Sequence, residues 1–528
     1  IQFWQWSGAQ YHVLNKVAKG KLVVLDLFSD AHTHFGSYQG HDAVWCMLPN
    51  FGGRTGFFGR LNGTIEGFFA DKAKFTNIKG IGATPEAIES VPVLYDALFE
   101  LPWYASKPDP KAWMADYTVA RYGVDNADLK AAWEKLRNSS LNCTTSLQGP
   151  MEAVLCARPS LTVNAVSSWG GTGIFYDSQD VIDAAHLLLK NPQPGENYSY
   201  DLTDLSRQAL TDYAYYLLKS IQTAHSSGNQ EAFALRRDAY LQLLLDMDIL
   251  LNTNRNFMLG RWTNMARDIA DEVSGTTVAD KNWLEQANAR RLITTWGDRA
   301  QANGGGLRDY SYREWGGMMK DFYYPRWKYY FDNNLSGTDW FVMEDKWVKD
   351  AALSYSDQPV GQTATVAAEL FASYFLPFTR PDGTPYYIMR KFDQDKSGEI
   401  RYPVYRGESF TAPVLLPAGQ TARLSVDFDN NGVYDTSETV EALTVTVPEN
   451  AGRRACPVGF ERRYFLCIRT ETNGPHYRTA NRFGVDSRRY TGNGGYCRDD
   501  GKQRHEHGPR DAYGNTGFRL RLSEMDGC

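Results

Sequence analysis

Residues 21–59 constrain the fold of this chain more than any other stretch. They contain two short apolar runs, 21–28 and 43–48, in which hydrophobic residues follow one another instead of alternating with polar ones. Continuous hydrophobicity is typical of parallel strands that are buried on both faces. A third run at 78–83 has the same character. The pattern therefore predicts that the chain begins with a parallel sheet.

A polar side chain follows each of these runs. Asp30 comes after the first, Asn50 after the second and Glu86 after the third. In a (β/α)₈ barrel, catalytic groups lie just beyond the C-terminal ends of the strands. Asp and Asn are also common in turns and at helix caps. Position alone therefore leaves a catalytic and a purely structural interpretation open.

Four motifs follow one another near the start of the chain: LVVLDLFSD, VWCMLPNFGG, GIGATPEAI and VLYDALFELPW. Four more continue to about residue 376: AWMADYTVARYGV, LLLDMDILLNTNRNFMLGRW, DYSYREWGGMMKDFYYPRWKYYF and TATVAAELFASYF. Together they resemble the α-N-acetylglucosaminidases of glycoside hydrolase family 89. The resemblance implies a retaining glycosidase that removes terminal α-linked N-acetylglucosamine and needs no cofactor for catalysis.

Retaining glycosidases use two carboxyl groups about 5–5.5 Å apart, one as nucleophile and one as acid/base. The resemblance implies that Asp30 is the nucleophile, although the family has the longer Glu at this position. A displacement of about 1 Å can cost about 100-fold in rate. Two further departures are Pro49 and Val91, where the family commonly has His and Asn.

The family's acid/base is a Glu that follows an Asn on an earlier barrel strand. No matching pair occurs in this sequence. We therefore expect a fragment whose acid/base lies upstream, with little or no activity on its own.

Other side chains are candidates for contact with the sugar. Under the glycosidase hypothesis, Trp45 and Asn50 shape the pocket, and Glu86 is the next candidate for nucleophile. Tyr310 and Trp315 either line the site from the helical region or pack between domains. His32, with its neighbours at 34 and 41, either contacts sugar hydroxyls or forms structural hydrogen bonds, and a zinc site is the less favoured alternative.

Composition excludes some classes of partner. The net charge of −6 gives no sign of nucleic-acid binding. No apolar run reaches the roughly 18–20 residues of a membrane span. Aromatic residues make up 13% of the chain, which is compatible with sugar stacking and equally with a helical core.

The seven cysteines are unevenly distributed. Cys46 lies within a predicted strand and is expected to be a buried thiol. Cys143 and Cys156 bracket a short loop and could pair. The remaining cysteines lie in the tail, where clustering favours disulfides of an exported protein over a zinc site.

Changes in pattern predict four regions. Residues 1–92 form the C-terminal part of a TIM barrel, and 93–376, with apolar residues at three- and four-residue spacing, form an all-α domain. Residues 377–455 alternate like the strands of a β-sandwich. Residues 456–528 form a Cys-containing tail.

The β-sandwich region contains the sequence DFDNNGVYDTSE. Its oxygen-bearing residues have the spacing of an EF-hand-type calcium loop, with Gly at the sixth position. The flanking residues have the pattern of strands, whereas an EF-hand loop lies between helices, so this is not an EF-hand domain. The alternative is an ordinary acidic turn without metal. The surrounding segment resembles GEVED-type β modules of exported bacterial proteins. The predicted ligands of a structural Ca²⁺ are Asp427, Asp429, Asn431, Asp435 and Glu438.

Two functions are compatible with these sequence features. The first is an exported α-N-acetylglucosaminidase that acts on glycans ending in α-GlcNAc. The second is a carbohydrate-binding protein that holds such glycans on the same scaffold without cleaving them. The shorter acid at Asp30 and the proline at Pro49 are compatible with the second.

Overall fold

The computed structural model describes residues 1–4, 8–31, 38–145, 147 and 149–379, and beyond them a set of separate strands. The chain forms two compact units. The first comprises Ile1–Lys219 with Tyr240–Glu369, and the second comprises Ser220–Ala239 with Leu370–Cys528. The domain boundaries expected at residues 92, 376 and 455 stay predictions.

The first unit begins with a parallel sheet of four strands. They are β1 (Gln2–Phe3), β2 (Val23–Asp26), β3 (Asp42–Met47) and β4 (Ile78–Ala83), in that spatial order. All three pairings are parallel. The expected parallel strands are therefore confirmed, and their C-terminal ends meet at one edge of the sheet.

Fourteen helices are named in the described part of the chain. They are α1 (Gly8–His12), α2 (Leu61–Lys74), α3 (Pro92–Glu100), α4 (Pro110–Tyr122), α5 (Ala127–Asn138), α6 (Ser178–Lys190), α7 (Glu196–Ser226), α8 (Gln230–Leu251), α9 (Leu259–Asp271), α10 (Val278–Leu284), α11 (Arg299–Gly304), α12 (Tyr324–Asp332), α13 (Trp340–Lys349) and α14 (Thr363–Tyr374). Two π-helical segments, Glu285–Arg290 and Met319–Tyr323, interrupt the later helices. The helical character expected after the sheet is confirmed.

The two faces of the sheet are buried to different extents. On one side, Phe3 and Tyr38 meet edge to face, with ring centroids 6.1 Å apart, beside Val24. Trp45, two residues from Ala43, lies on the same side and packs edge to face against Phe68 of α2, at 5.8 Å. On the opposite side, Val23 is exposed and Leu25 and Val44 are only half-buried, so the continuous apolar runs overstate how deeply this sheet is buried.

Val91 begins α3 in an unusual backbone conformation. Its φ of 49° and ψ of 64° lie in the left-handed region. A β-branched residue is strongly disfavoured there, whereas Asn is tolerated. The resembling family commonly has Asn at this position, so the substitution leaves local strain at the end of the loop that carries Glu86.

The second unit contains mostly strands in its C-terminal part. They are β5 (Phe375–Thr379), β6 (Pro385–Lys391), β7 (Glu399–Val404), β8 (Ser409–Ala412), β9 (Ala422–Asp427), β10 (Thr436–Val440), β11 (Leu443–Thr446), β12 (Tyr464–Glu471), β13 (Arg482–Phe483) and β14 (Gly517–Glu524). They form sheets ordered β10-β9-β14-β12-β7, β11-β8 and β13-β6-β5. Strands β9 and β10, which flank the calcium-type sequence, pair antiparallel. Residues 428–435 between them lie outside the described residues.

The pairing expected for Cys143 and Cys156 is wrong. Both thiols are free and buried. The Sγ of Cys143 faces the hydroxyl of Thr145 at 3.3 Å, whereas Cys156 lies in the short helical turn Val154–Cys156. Cys46 is a buried thiol, as expected. The four tail cysteines lie outside the residues whose side chains are described.

Among the described residues, no helix is both long and apolar enough to cross a bilayer.

Candidate active site

Asp30 lies in a tight turn that follows β2 at the C-terminal edge of the sheet. The amide of Ser29 donates to the carbonyl of Cys46 on β3 at 2.8 Å, and the amide of Cys46 donates to the Ser29 hydroxyl at 3.2 Å. The Ala31 amide closes the turn on the Phe28 carbonyl at 3.2 Å. These bonds fix the turn to β3, so the position of the Asp30 carboxyl group is determined by the sheet.

The Asp30 carboxyl group is almost fully enclosed. Its side chain is 2% exposed. Oδ1 accepts a hydrogen bond from the Leu48 amide at 3.0 Å, and Oδ2 lies 4.0 Å from Nη1 of Arg60. Burial raises the pKa of Asp30 to about 6, against the lowering effect of the Arg60 charge and of nearby amides. The group is therefore ionised at neutral pH but takes up a proton in mildly acidic solution.

An aromatic cluster lies next to the turn that carries Asp30. Trp4, which follows β1, stacks on Phe28 with ring centroids 5.8 Å apart and 22° between the planes. Phe51, in the loop after β3, meets both rings at 5.8 and 5.5 Å. Tyr310 and Ala31 pack against the same cluster. The edge of the sheet thus combines an acid with a packed cluster of aromatic rings.

Glu86 and Tyr310 form a second polar feature of this edge. The Tyr310 hydroxyl donates to Oε2 of Glu86 at 2.6 Å, and the Gly52 amide donates to the same oxygen at 2.6 Å. Burial and the neighbouring Glu86 raise the pKa of Tyr310. Glu86 therefore links the loop after β3 to the loop after β4 and to the helical part of the unit.

Asn50 is buried and joins the same two loops. Its Nδ2 donates to the Ala87 carbonyl at 2.7 Å and to the Ser90 hydroxyl at 3.1 Å. Its Oδ1 has no hydrogen-bond partner among the described residues. Arg313, also buried, donates from Nη1 to the Gly52 carbonyl at 2.7 Å. The loop 50–53 is thus held from both sides.

The structure brings Asp30, Asn50, Glu86 and Tyr310 to one edge of the sheet. Their roles toward a ligand stay predictions. Trp45 is only 1% exposed, and its Nε1 donates to Asp71 of α2 at 3.0 Å. This packing gives no support to a role in the pocket.

Trp315 and His41 pack against other residues. Trp315 is buried beside Trp262, with ring centroids 6.2 Å apart, and lines a small cavity with Gly53, Ser90 and Arg313, next to the loop 50–53. His41 is buried and its Nε2 lies 2.7 Å from the Leu14 carbonyl. His32 lies outside the described residues.

Sequence reasoning missed four residues of this region. Trp4 and Phe51 follow strand ends just as Asp30 and Asn50 do, and that position was the available signal. Arg60 is a single charge in the otherwise apolar sequence GFFGRL. Trp296 meets Tyr310 edge to face at 6.2 Å and has a left-handed φ of 63°. No sequence pattern signals that conformation for Trp.

Comparisons with known proteins agree on a single family. Residues 1–105 match the alpha-N-acetylglucosaminidase (NAGLU) tim-barrel domain, and residues 113–373 match the alpha-N-acetylglucosaminidase (NAGLU) C-terminal domain. The parallel sheet with an acid at its C-terminal edge, followed by a helical region, is thus part of a glycoside hydrolase fold. The chain belongs to the α-N-acetylglucosaminidases, glycoside hydrolase family 89.

Individual relatives support this assignment. The chain is 32% identical over 401 residues to alpha-N-acetylglucosaminidase from Homo sapiens, covering 70% of this chain and 50% of the human protein. A family 89 glycoside hydrolase from Clostridium perfringens in complex with PUGNAc matches with a TM-score of 0.67 and 29% identity, over 70% of this chain and 44% of that one.

A Clostridium perfringens variant with two glutamates changed to glutamine, in complex with its substrate GlcNAc-alpha-1,4-galactose, matches with the same TM-score and identity. The match covers 71% of this chain and 44% of that one. The chain thus spans half or less of the length of these relatives.

Proposed function

We propose that this protein is a retaining glycoside hydrolase that releases terminal α-linked N-acetylglucosamine from glycans. Asp30 is its nucleophile. Asp30 Oδ2 forms a bond to the anomeric carbon as the bond from that carbon to the leaving oxygen breaks, and water then hydrolyses the glycosyl ester. The reaction runs on carboxyl groups and needs no cofactor. Among the described residues, only the nucleophile is assigned.

The placement of Asp30 carries the proposal. Its carboxyl group is fixed at a strand end by the Leu48 amide, faces the cation of Arg60 and lies beside the stacked rings of Trp4 and Phe28. The clostridial relative was captured with GlcNAc-alpha-1,4-galactose after two glutamates had been changed to glutamine. That result supports two carboxyl groups as the functional groups of the family site.

The test traps the nucleophile without requiring an acid. A dinitrophenyl α-N-acetylglucosaminide has a leaving group that departs without protonation, so attack by Asp30 alone leaves the sugar on the protein. We expect intact-mass measurement to show one added N-acetylglucosaminyl group, and peptide mapping to place it on Asp30. The Asp30→Asn variant remains unlabelled. A label on Glu86 or on another residue contradicts the assignment of Asp30.

A carbohydrate-binding protein is the second candidate, and the enclosure of Asp30 favours it. A side chain that is 2% exposed offers little access to an anomeric carbon unless the site opens. Calorimetric titration with 2-acetamido-1,2-dideoxynojirmycin, a ligand of the clostridial relative, separates the two. Binding without any covalent label indicates a binding protein. If the protein shows neither binding nor labelling, both functions are contradicted.

We further propose that the protein acts outside the cytoplasm and that residues 377–455 form a β-sandwich that binds a structural Ca²⁺. The clustered tail cysteines and the spacing of Asp427, Asp429 and Glu438 support this proposal. Hairpin pairing of β9 with β10 would bring the two ends of the loop together. Calcium titration of the whole chain, with Asp429→Ala as control, checks it, and equal affinity of both proteins contradicts it.

A further inference from the structure

Arg60 occupies a position that its contribution to stability does not explain. It is the N-cap residue of α2, where the helix dipole disfavours a cation. Its side chain is only 4% exposed. Its Nε and Nη1 have no hydrogen-bond partner among the described residues. Buried guanidinium groups are normally paired and fully hydrogen-bonded, because unpaired charges are costly to bury.

Apolar rings and one carbonyl hold the guanidinium group in place. Its central carbon lies 5.3 Å from the ring centroid of Phe28 and 5.1 Å from that of Phe58. Nη2 donates to the Leu147 carbonyl. These contacts leave Nη1 directed toward the Asp30 carboxyl group, at 4.0 Å from Oδ2.

The distance between Arg60 Nη1 and Asp30 Oδ2 allows electrostatic attraction without a hydrogen bond. At 4.0 Å, Arg60 and Asp30 attract one another electrostatically, but the contact is too long for a hydrogen bond. A hydrogen bond from a cation would hold the Oδ2 lone pair that attacks the sugar. The observed arrangement supplies the charge without that restraint.

We propose that Arg60 is a positioning residue of the glycosidase reaction, which keeps Asp30 ionised in a buried site while leaving Oδ2 available for attack. The inference rests on the proposed function, because Asp30 must be a nucleophile for this ionisation to matter. It adds a residue outside the carboxyl groups on which retaining chemistry depends.

The other groups around Asp30 act in the opposite direction or are neutral. Asp26, on β2, raises the pKa of Asp30 by its charge, and burial raises it most. Cys46, on β3, is a thiol whose pKa burial raises to about 12, so it carries no charge at neutral pH. Besides the amides of Leu48 and of Asp30 itself, Arg60 is the group that lowers the pKa of Asp30.

The test compares Arg60→Met, which removes the charge but keeps a long side chain between the two rings, with Arg60→Lys, which keeps the charge. The pKa of Asp30 is measured by carboxyl ¹³C NMR, with the signal assigned by its loss in Asp30→Asn. We expect the Met variant to raise this pKa by about 1–2 units, as for loss of a neighbouring arginine, and the Lys variant to leave it near the native value.

The second measurement is the pH dependence of covalent labelling by the dinitrophenyl glycoside. Labelling requires the ionised carboxylate, so its acidic limb moves to higher pH in Arg60→Met by the same amount as the NMR pKa. A rate that falls equally at every pH, with an unchanged pKa, shows a structural role and overturns the proposal. If Arg60→Met does not fold, the neutral Arg60→Gln provides the same comparison.

The two measurements distinguish failure of this inference from failure of the proposed function. A shifted NMR pKa without labelling of any variant retains the electrostatic role of Arg60 and contradicts the nucleophilic role of Asp30. Labelling of the native protein, together with an unshifted pKa of Asp30 in Arg60→Met, retains the nucleophilic role of Asp30 and contradicts the electrostatic role of Arg60.

Discussion

Gly52 is the position where a single methyl group is expected to disturb the site most. Its φ of 64° lies in the left-handed region, and a Cβ added there would lie 2.2 Å from the Tyr310 carbonyl oxygen and 2.9 Å from its carbon. The left-handed conformation costs a residue with a Cβ about 1–2 kcal/mol. Overpacking against backbone adds about 1–3 kcal/mol, because backbone atoms cannot rotate away. We therefore expect Gly52→Ala to lower the free energy of unfolding by about 2–5 kcal/mol.

Two other glycines separate the cost of the left-handed conformation from the cost of overpacking. Gly123 has a φ of 71° but no described atom within 4 Å of an added Cβ, so Gly123→Ala reports the conformational cost alone. Gly80 lies in β4, with neither a positive φ nor a close neighbour, and Gly80→Ala is expected to be neutral or stabilising by about 0.4–1 kcal/mol. Urea denaturation followed by tryptophan fluorescence measures all three.

The same variants test the connection to the site. Gly52 also donates to Glu86 and accepts from Arg313. We therefore expect Gly52→Ala to weaken binding of 2-acetamido-1,2-dideoxynojirmycin more than Gly123→Ala does. A Gly52→Ala protein that is as stable as Gly123→Ala refutes the reasoning, because the loop would then have room to move.

Three further predictions concern Asp212, the buried ion pair of Glu152 with Arg54, and Val91. Burial raises the pKa of Asp212 to about 7, so the folded protein keeps a proton that the unfolded chain loses above about pH 4. Stability should therefore fall by up to about 4 kcal/mol as pH rises from 4 to 7, and Asp212→Asn should abolish that slope in urea titrations at several pH values. Glu152→Ala, which removes the partner of buried Arg54 at 2.8 Å, should cost about 3–5 kcal/mol. Glu134→Ala at the more exposed pair with Arg137 should cost about 1 kcal/mol or less, and equal losses would contradict the role of burial. Val91→Asn should raise the urea midpoint, because Asn tolerates the left-handed backbone; an unchanged or lower midpoint shows that burying the amide outweighs the relief.

The sequence was sufficient to place the strand-end residues. Parallel strands share one edge for their C-terminal ends, so Asp30, Asn50 and Glu86 had to lie near one another once the three apolar runs were taken as parallel. Which face of a strand is the more buried one was not predictable, since the apolar runs do not alternate with polar residues. Trp45 was therefore predicted to shape the pocket, although its indole packs against α2.

Arg60 shows a second limit of the sequence. Its relation to Asp30 arises because the start of α2 approaches the end of β2, and nothing in the residues between them indicates that approach. Cys143 and Cys156 show the opposite error, since proximity in sequence suggested a bond, whereas both thiols are free.

The contacts that hold the loop 50–53 have a consequence for how the protein is made. These contacts join residues far apart in the chain, with a sequence separation of 261 for Gly52 and Arg313 and of 224 for Glu86 and Tyr310. Contacts of such separation form late, because a long loop must close first. During synthesis, the loop lacks its contact with Arg313 until the ribosome has released that residue. The edge of the sheet that carries Asp30 is therefore among the last parts of the first unit to reach its final shape. A nascent chain that stops before residue 309 lacks the contacts that Tyr310 and Arg313 make with the loops at this edge.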